Sequence, residues 1–495
     1  MTGAAPEAPL LAPAASPTPA APDPARAHRD ARRRHWDDVA RWREGRREWR
    51  RGYQERLAAV YRFLVPPGRR VLELGCGAGD LLAALAPAVG VGVDFSGEMI
   101  RRAARRHPRL RFVEADAHEL DLGERFDAIV LSDLVNELWD VQAVLERALA
   151  HATPRTRLIL NTYSRVWELP LGLARRLGLA SPVLGQNWLT AGDIANMLDL
   201  AGFEPLRSWR EILWPLRTPL VAAVLNRVAV RIWPLEHLAL TNFVLARPKP
   251  RAGRLPRPRV SVVVPARNEA GNVPAIFART PELGGGTELI FVEGHSRDDT
   301  AGAIERAIAA HPERPARLFR QRGEGKGDAV REGFEHATGD ILLILDADLT
   351  VPPELLPRFV EALATGTGEF ANGVRLVYPM EGRAMRLLNL AGNKLFTLAF
   401  TWLLGQRVKD TLCGTKALWA EDYRLIVANR SYFGDFDPFG DFDLLFGAAK
   451  LGLKIVDVPV RYGARTYGTT NIRRFRHGWL LLEMVAYAAA RMKFV

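Results

Sequence analysis

Ile341 to Thr350 reads ILLILDADLT, five apolar residues in a row and then two aspartates with one residue between them. A run of that length without a polar break suits a strand buried on both faces of a parallel sheet. Such a strand does not end in two carboxylates unless something cationic meets them. At the carboxyl edge of an open α/β sheet, where ligand crevices form, Asp346 and Asp348 could hold a divalent metal that is itself clamped to a diphosphate.

The neighbouring stretches extend the pattern. Val260 to Val264 is a second buried strand and runs into Pro265-Ala266-Arg267-Asn268-Glu269, with a helix expected from about Val273. Glu288 to Val292 is the next strand, followed by the polar turn EGHSRDDT at 293–300. Gly323 to Phe334 (GEGKGDAVREGF) sets flexible backbone and Lys326 ahead of a helix, an arrangement suited to phosphate oxygens. Strands alternating with helices predict a largely parallel sheet.

This order of motifs resembles glycosyltransferase family 2, whose single Rossmann-like domain is called GT-A. The resemblance implies that Pro265, Asn268, Glu269 and Glu293 lie around the nucleoside, Lys326 and Asp328 near the nucleotide, and Asp346 and Asp348 at Mg²⁺ or Mn²⁺. Glu293 stands where the family commonly has aspartate. A closer resemblance is to the dolichyl- or polyprenyl-phosphate mannose and glucose synthases, carried by DADLTVPPELLPRF, Ala371 to Arg375, Asp410 to Lys416 (DTLCGTK) and Ile455 to Asn471. Two departures stand out: Thr350 replaces a glutamine, and the late loop loses its lysine at Asn471. The implied reaction is inverting transfer of a hexose from a nucleotide sugar to a lipid-linked phosphate.

The acceptor's chemistry decides which further residues matter. A sugar or protein hydroxyl calls for a carboxylate base, and Asp441 or Asp443 would serve. A phosphate acceptor is already ionised and needs positive charge instead, for which Arg375, Lys416 and Arg465 are the candidates. Gly382 to Leu404 and Gly478 to Val495 mix basic residues with a broad apolar face, as helices in a membrane interface do, although a core helix reads the same way.

The first half opens a separate fold. Val71 to Gly79 (VLELGCGAG) is a buried strand entering a glycine turn, Val89 to Val93 ends at Asp94, a third strand closes at Glu114-Ala115-Asp116, and Phe126 to Ser132 is a fourth. These residues resemble the class I S-adenosylmethionine-dependent methyltransferases. Glu73, Gly75, Gly77 and Gly79 match the cofactor loop, Asp94 the ribose acid and Asp116 the acid beside the adenine. Asp133, Asn136 and Glu137 lie toward the expected acceptor side, yet each also reads as a helix cap or a solvated residue. Tyr163 and the segment from Trp188 to Trp233 could wall a pocket or belong to the core. Cofactor binding leaves two roles open, methyl transfer or regulation.

The chain therefore divides into an Ala/Pro-rich disordered tail (1–31), a methyltransferase-like domain (32–247), a Pro/Arg linker (248–259) and a glycosyltransferase domain (260–495), both domains α/β. Arg32 to Tyr53 reads as a basic aromatic helix that could lie on an anionic membrane or nucleic acid, and by preference as a leading helix that packs Trp36, Trp42 and Trp49 on the first domain. Lys+Arg 68 against Asp+Glu 56 gives +12, which favours anionic partners, but no nucleic-acid recognition module accompanies the charge. Two cysteines far apart exclude a disulfide framework and suit a cytoplasmic enzyme. With no stretch near the roughly 20 apolar residues of a membrane span, peripheral attachment is the expectation.

Overall fold

The computed structural model describes residues 23–42, 51–176, 184–250, 257–375, 377, 387–429, 442–463, 465, 467 and 474–494. Two seven-stranded sheets organise them. The first contains β1 (Arg70–Leu74), β2 (Val89–Asp94), β3 (Arg111–Glu114), β4 (Phe126–Ser132), β5 (Ala152–Tyr163), β6 (Phe203–Glu211) and β7 (Thr241–Pro248), in the order β3-β2-β1-β4-β5-β7-β6. β7 runs antiparallel to both neighbours, as its alternating sequence predicts, although it starts at Thr241 rather than Leu238 because Leu235–Leu238 is a 3₁₀ turn.

The second sheet contains β8 (Val260–Ala266), β9 (Thr287–Glu293), β10 (Ala316–Arg320), β11 (Ile341–Ile344), β12 (Phe370–Val374), β13 (Lys416–Trp419) and β14 (Ile455–Pro459), in the order β10-β9-β8-β11-β13-β12-β14. β11 is wholly buried, but it lies parallel only to β8 and pairs antiparallel with β13. The purely parallel surroundings expected for ILLIL are thus corrected on one side. An apolar run reports burial on both faces and carries no information about strand direction. In each sheet the strand order reverses beside the first strand, between β1 and β4 and between β8 and β11, the position where open α/β sheets take ligands at their carboxyl ends.

Left-handed backbone outside glycine collects at this edge. Asn268 follows β8, His295 follows β9 and Leu349 follows β11, with φ of 58°, 55° and 54°, and Asp133 follows β4 at 55°. Strained loops of this kind persist only where the surroundings over-determine them, which is commonest at functional edges.

The leading helix spans Pro24–Trp42, so it begins inside the stretch expected to be disordered, and a second helix follows at Arg51–Leu64. Trp36 packs with Val39, Ala40 and Met99 as expected, while the side chains of Trp42 and Trp49 lie outside the described residues. Cys76 and Cys413 are buried and unpaired. Among the described residues no helix is long and apolar enough to cross a membrane.

The two halves meet through buried charge. Arg157 on β5 donates to both oxygens of Glu369 at 2.9 Å. Arg247, read from sequence as the last residue before a linker, is 3% exposed and bonds Glu204 at 2.9 Å and the Gly366 carbonyl at 2.6 Å. Lys454 ion-pairs with Glu204, and its backbone N–H donates to Glu369 at 2.9 Å.

Candidate active sites

In the first sheet Gly75, Gly77 and Gly79 all adopt positive φ, and only open space meets the position of a Cβ on Gly77, where backbone is left accessible to a ligand. Asp94 ends β2 and is drawn toward this loop, accepting from the Gly77 and Ser96 amides at 2.9 Å each. Burial raises its pKa to about 6, against the pull of those amides. Glu73 is 2% exposed, burial lifts its pKa well above the carboxylate range, and its Oε2 has no hydrogen-bond partner. An orphaned acceptor beside a glycine loop fits the ammonium group of S-adenosylmethionine, so the residues present suit that cofactor.

The leading helix lies across the carboxyl ends of these strands. Arg29 reaches Asp116 at 3.3 Å, Arg32 and Arg33 pair with Glu137 and Glu114, and Asp37 accepts from the Ser96 hydroxyl at 2.5 Å. Sequence reasoning missed these contacts, although acids interspersed among arginines in RAHRDARRRHWDD are the signal of a helix that bridges to charged partners.

Asp133, Asn136 and Glu137 do not solvate a helix. Asn136 is fully buried and accepts from the Tyr163 amide at 3.0 Å; Glu137 takes bonds from Arg32 and Gln186. Asp133 accepts from Tyr53 at 2.7 Å and Asn161 at 2.5 Å. These three residues tie the loop after β4 to the leading helix and β5.

In the second sheet Asp346 and Asp348 each already pair with a basic side chain. Lys326 lies 2.5 Å from Asp346, and Arg465 lies 2.6 Å from Asp348 and 3.3 Å from Glu269. Lys326 and Arg465, assigned from sequence to opposite ends of the reaction, therefore meet at one motif. Burial alone would raise the Asp346 pKa, but Lys326, Lys416 and Arg375 outweigh it and hold the carboxyl below its ordinary value. Gly414 packs directly on the Lys326–Asp346 pair and leaves no room for a side chain. Glu269 moves the other way, to about 7, because burial dominates the attraction of Arg465.

Thr350, the departure from the expected glutamine, has a clear task. Its amide and hydroxyl donate to Asp348 at 3.1 and 2.7 Å, and its carbonyl accepts from Gly463 at 2.9 Å, so it fixes the second aspartate and anchors the chain leaving β14. Asn268 and Glu293 close their loops, through the Arg297 amide at 2.7 Å and the Ser296 amide at 2.5 Å. Asp328 caps the glycine loop through the Gly323 amide at 2.9 Å, and Pro265 sits in β8 opposite Val292.

Two candidate phosphate-binding cations are already committed. Arg375 grips Asp410 through Nε at 2.7 Å and Nη2 at 2.9 Å, and Asp410 is fully buried. Lys416 is likewise fully buried and donates to the Cys413 carbonyl. Arg375→Ala should therefore lower stability by about 3–5 kcal/mol by removing the guanidinium that balances the buried Asp410, with no rescue by lysine, which cannot form the paired bonds; thermal denaturation without substrate reads this out. Asp443 faces Arg331 at 3.7 Å, and Asp441 lies outside the described residues.

The donor set suits a hard divalent cation. Among the described residues no three His, Cys, Asp or Glu side chains cluster as a metal site. The charge of Asp346 and Asp348 is balanced here by Lys326 and Arg465, and carboxylates are the donor type that a hard divalent cation takes.

Comparison with known proteins agrees with this division. Residues 261–425 match the family model of glycosyl transferase family 2, and residues 41–208 match that of a methyltransferase domain. An undecaprenyl-phosphate 4-deoxy-4-formamido-L-arabinose transferase from Klebsiella pneumoniae subsp. pneumoniae is 37% identical over 236 residues, 46% of this chain and 67% of the relative. A dolichol-phosphate mannosyltransferase from Pyrococcus furiosus is 28% identical over 246 residues, 48% of this chain and 64% of the relative. The chain spans between 34% and 67% of the length of such curated relatives. A solved glucosyl-3-phosphoglycerate synthase from Mycobacterium tuberculosis, in complex with Mn²⁺, uridine diphosphate and glucosyl-3-phosphoglycerate, aligns at 25% identity and a TM-score of 0.35, covering 48% of this chain and 80% of that one.

Proposed function

The chain is an enzyme that belongs to glycosyl transferase family 2 and carries a methyltransferase domain ahead of it, and from that premise we propose that it moves a hexose from a nucleotide sugar to a polyprenyl phosphate. The observation that carries this reading is the meeting of Lys326 and Arg465 on the two aspartates, which gathers positive charge where a diphosphate leaves and a phosphate arrives. Curated relatives whose names join a sugar to undecaprenyl or dolichol phosphate support the acceptor.

In this reading the acceptor phosphate oxygen attacks the anomeric carbon, the bond to the donor's diphosphate breaks, and the configuration inverts. The nucleoside diphosphate departs with the electron pair. Mg²⁺ or Mn²⁺ held by Asp346 and Asp348 would supply positive charge to that leaving group. Lys326 and Arg465 then turn from the aspartates to phosphate oxygens, while Thr350 keeps Asp348 in place. An ionised acceptor needs no base, which agrees with Asp443 facing Arg331. Glu269 and Glu293 line the nucleoside side, and Asp328 holds the glycine loop.

For the first half we propose binding of S-adenosylmethionine by Glu73, the glycine loop, Asp94 and Asp116, and methyl transfer to the sugar or lipid-linked sugar handled next door. The domain boundary is placed within 248–259, and the protein is taken to act in the cytoplasm as a peripheral membrane enzyme. Radiolabelled sugar should partition into organic solvent with polyprenyl phosphate; product found only in the aqueous phase overturns the acceptor. Labelled methyl incorporation that ignores the glycosyltransferase substrates overturns the coupling, and cofactor binding without any transfer assigns the domain a regulatory role.

A further inference from the structure

The helical stretch 219–231 of the methyltransferase half buries Ala229 and Val230 but turns most of its larger apolar side chains outward. Its buried side holds Asn226, 5% exposed, which accepts from the Leu213 and Trp214 amides at 2.8 Å each and donates to the Trp214 carbonyl at 2.7 Å. Its outward side carries Leu220, Val221, Val224 and Val228, at exposures of 83%, 49%, 59% and 44%. A surface helix in water shows the opposite arrangement. The neighbouring helix Glu168–Arg176 does the same with Leu169, 84% exposed, and Leu173, 59%. The turn that follows residues 219–231 presents Trp233 at 77%. Trp167 donates to the Leu238 carbonyl at 2.8 Å and ties the chain just ahead of helix Glu168–Arg176 to the chain just beyond Trp233.

We infer that this face is a docking surface for an anionic lipid bilayer. Three observations select that occupant. Segments 165–176 and 214–238 contain six arginines and two acids (Glu168, Glu236); Arg231 is largely buried and paired with Glu211, so the other five (Arg165, Arg175, Arg176, Arg217, Arg227) leave an excess of three positive charges on these segments. Such a rim complements anionic headgroups and opposes a second copy of the chain, because a two-fold contact would set the same cations against each other. The face also continues onto the other domain. Arg231 donates to the Lys493 carbonyl at 2.9 Å, and Lys493 lies 5.6 Å over the ring of Trp402, whose helix exposes Leu395 and Leu398 at 60% and 70%. Apolar surface of this extent with a leading tryptophan is that of an interfacial protein.

The inference goes beyond the glycosyl-transfer reading and does not depend on the acceptor being lipid-linked. Its test is co-sedimentation of the full chain with vesicles of phosphatidylcholine alone or mixed with phosphatidylglycerol, using wild type, Leu220→Glu, Trp233→Glu and, on the other domain, Leu398→Glu. The wild type should sediment with the mixed vesicles, and Leu220→Glu and Trp233→Glu should each weaken partitioning about tenfold or more. Melting temperature and S-adenosylmethionine binding should stay unchanged, since all these side chains face outward. Asp348→Ala should bind vesicles as wild type does, which separates this inference from the catalytic one. No vesicle binding by the wild type overturns it. So does loss in Leu398→Glu alone, or a dimer by light scattering that Leu220→Glu dissociates while vesicle binding is unaffected.

Discussion

Asp348→Ala is expected to reduce sugar transfer on the order of 10³-fold while leaving S-adenosylmethionine binding untouched. The residue is held from three sides, by the Thr350 amide and hydroxyl and by Arg465, so its position is fixed before any ligand arrives. Removing it does two things at once. It takes away one of the two carboxylates available to a divalent ion, and it frees Arg465 to collapse onto Glu269, 3.3 Å away, instead of turning to a phosphate. Thr350→Val keeps Asp348 but removes its hydroxyl donor, and should cost an intermediate factor of about 10. Steady-state transfer assays with Mg²⁺ titration check both; a loss below tenfold for the alanine variant would remove Asp348 from the mechanism. The cofactor loop belongs to the other sheet, so calorimetric binding of S-adenosylmethionine serves as the folding control.

Asp94→Ala is the second large effect, about a hundredfold or greater loss of cofactor affinity through the missing charge-assisted bonds to the ribose. Wild-type affinity should also depend on pH. The unfolded chain releases this proton near 3.8, whereas the folded chain keeps it to about 6. Folding is therefore free of the penalty below pH 3.8, loses stability as pH rises from 3.8 to about 6, and above that carries the full cost of a buried carboxylate, about 3 kcal/mol. Cofactor binding needs the ionised form. At pH 5 the proton must first leave, which weakens binding about tenfold relative to pH 8 in the same buffer. Affinity independent of pH between 5 and 8, with Asp94→Ala equally flat, would show that Asp94 does not meet the cofactor.

Much of this was legible in the chain because buried strands and glycine turns speak through local pattern. β4 fell on Phe126–Ser132 residue for residue, and β2 ended at Asp94 as expected. What the sequence could not show was partnership across distance. Nothing local in ANGVR says that Arg375 is spoken for by Asp410, or that Lys416 is buried rather than waiting for phosphate. Thr350 looked like a departure from a pattern and proved to be the residue that orients Asp348. The leading helix itself is legible from its tryptophans, but its charged contacts are not, because its arginines reach acids 81 to 105 residues away. Trp233 was weighed as pocket wall or core and is neither, because a tryptophan's preference for an interior cannot be told from its preference for a lipid interface by composition.

The contact between the halves has a consequence for how the molecule comes apart. Fused catalytic domains ordinarily melt one after the other, each with its own transition. Here Glu369 of one sheet accepts both bonds of Arg157 from the other, and Arg247 is sealed between Glu204 and the Gly366 carbonyl, so unfolding either half strands buried charge in its neighbour. Heating should therefore produce one calorimetric endotherm for the whole chain. Glu369→Ala should split it in two.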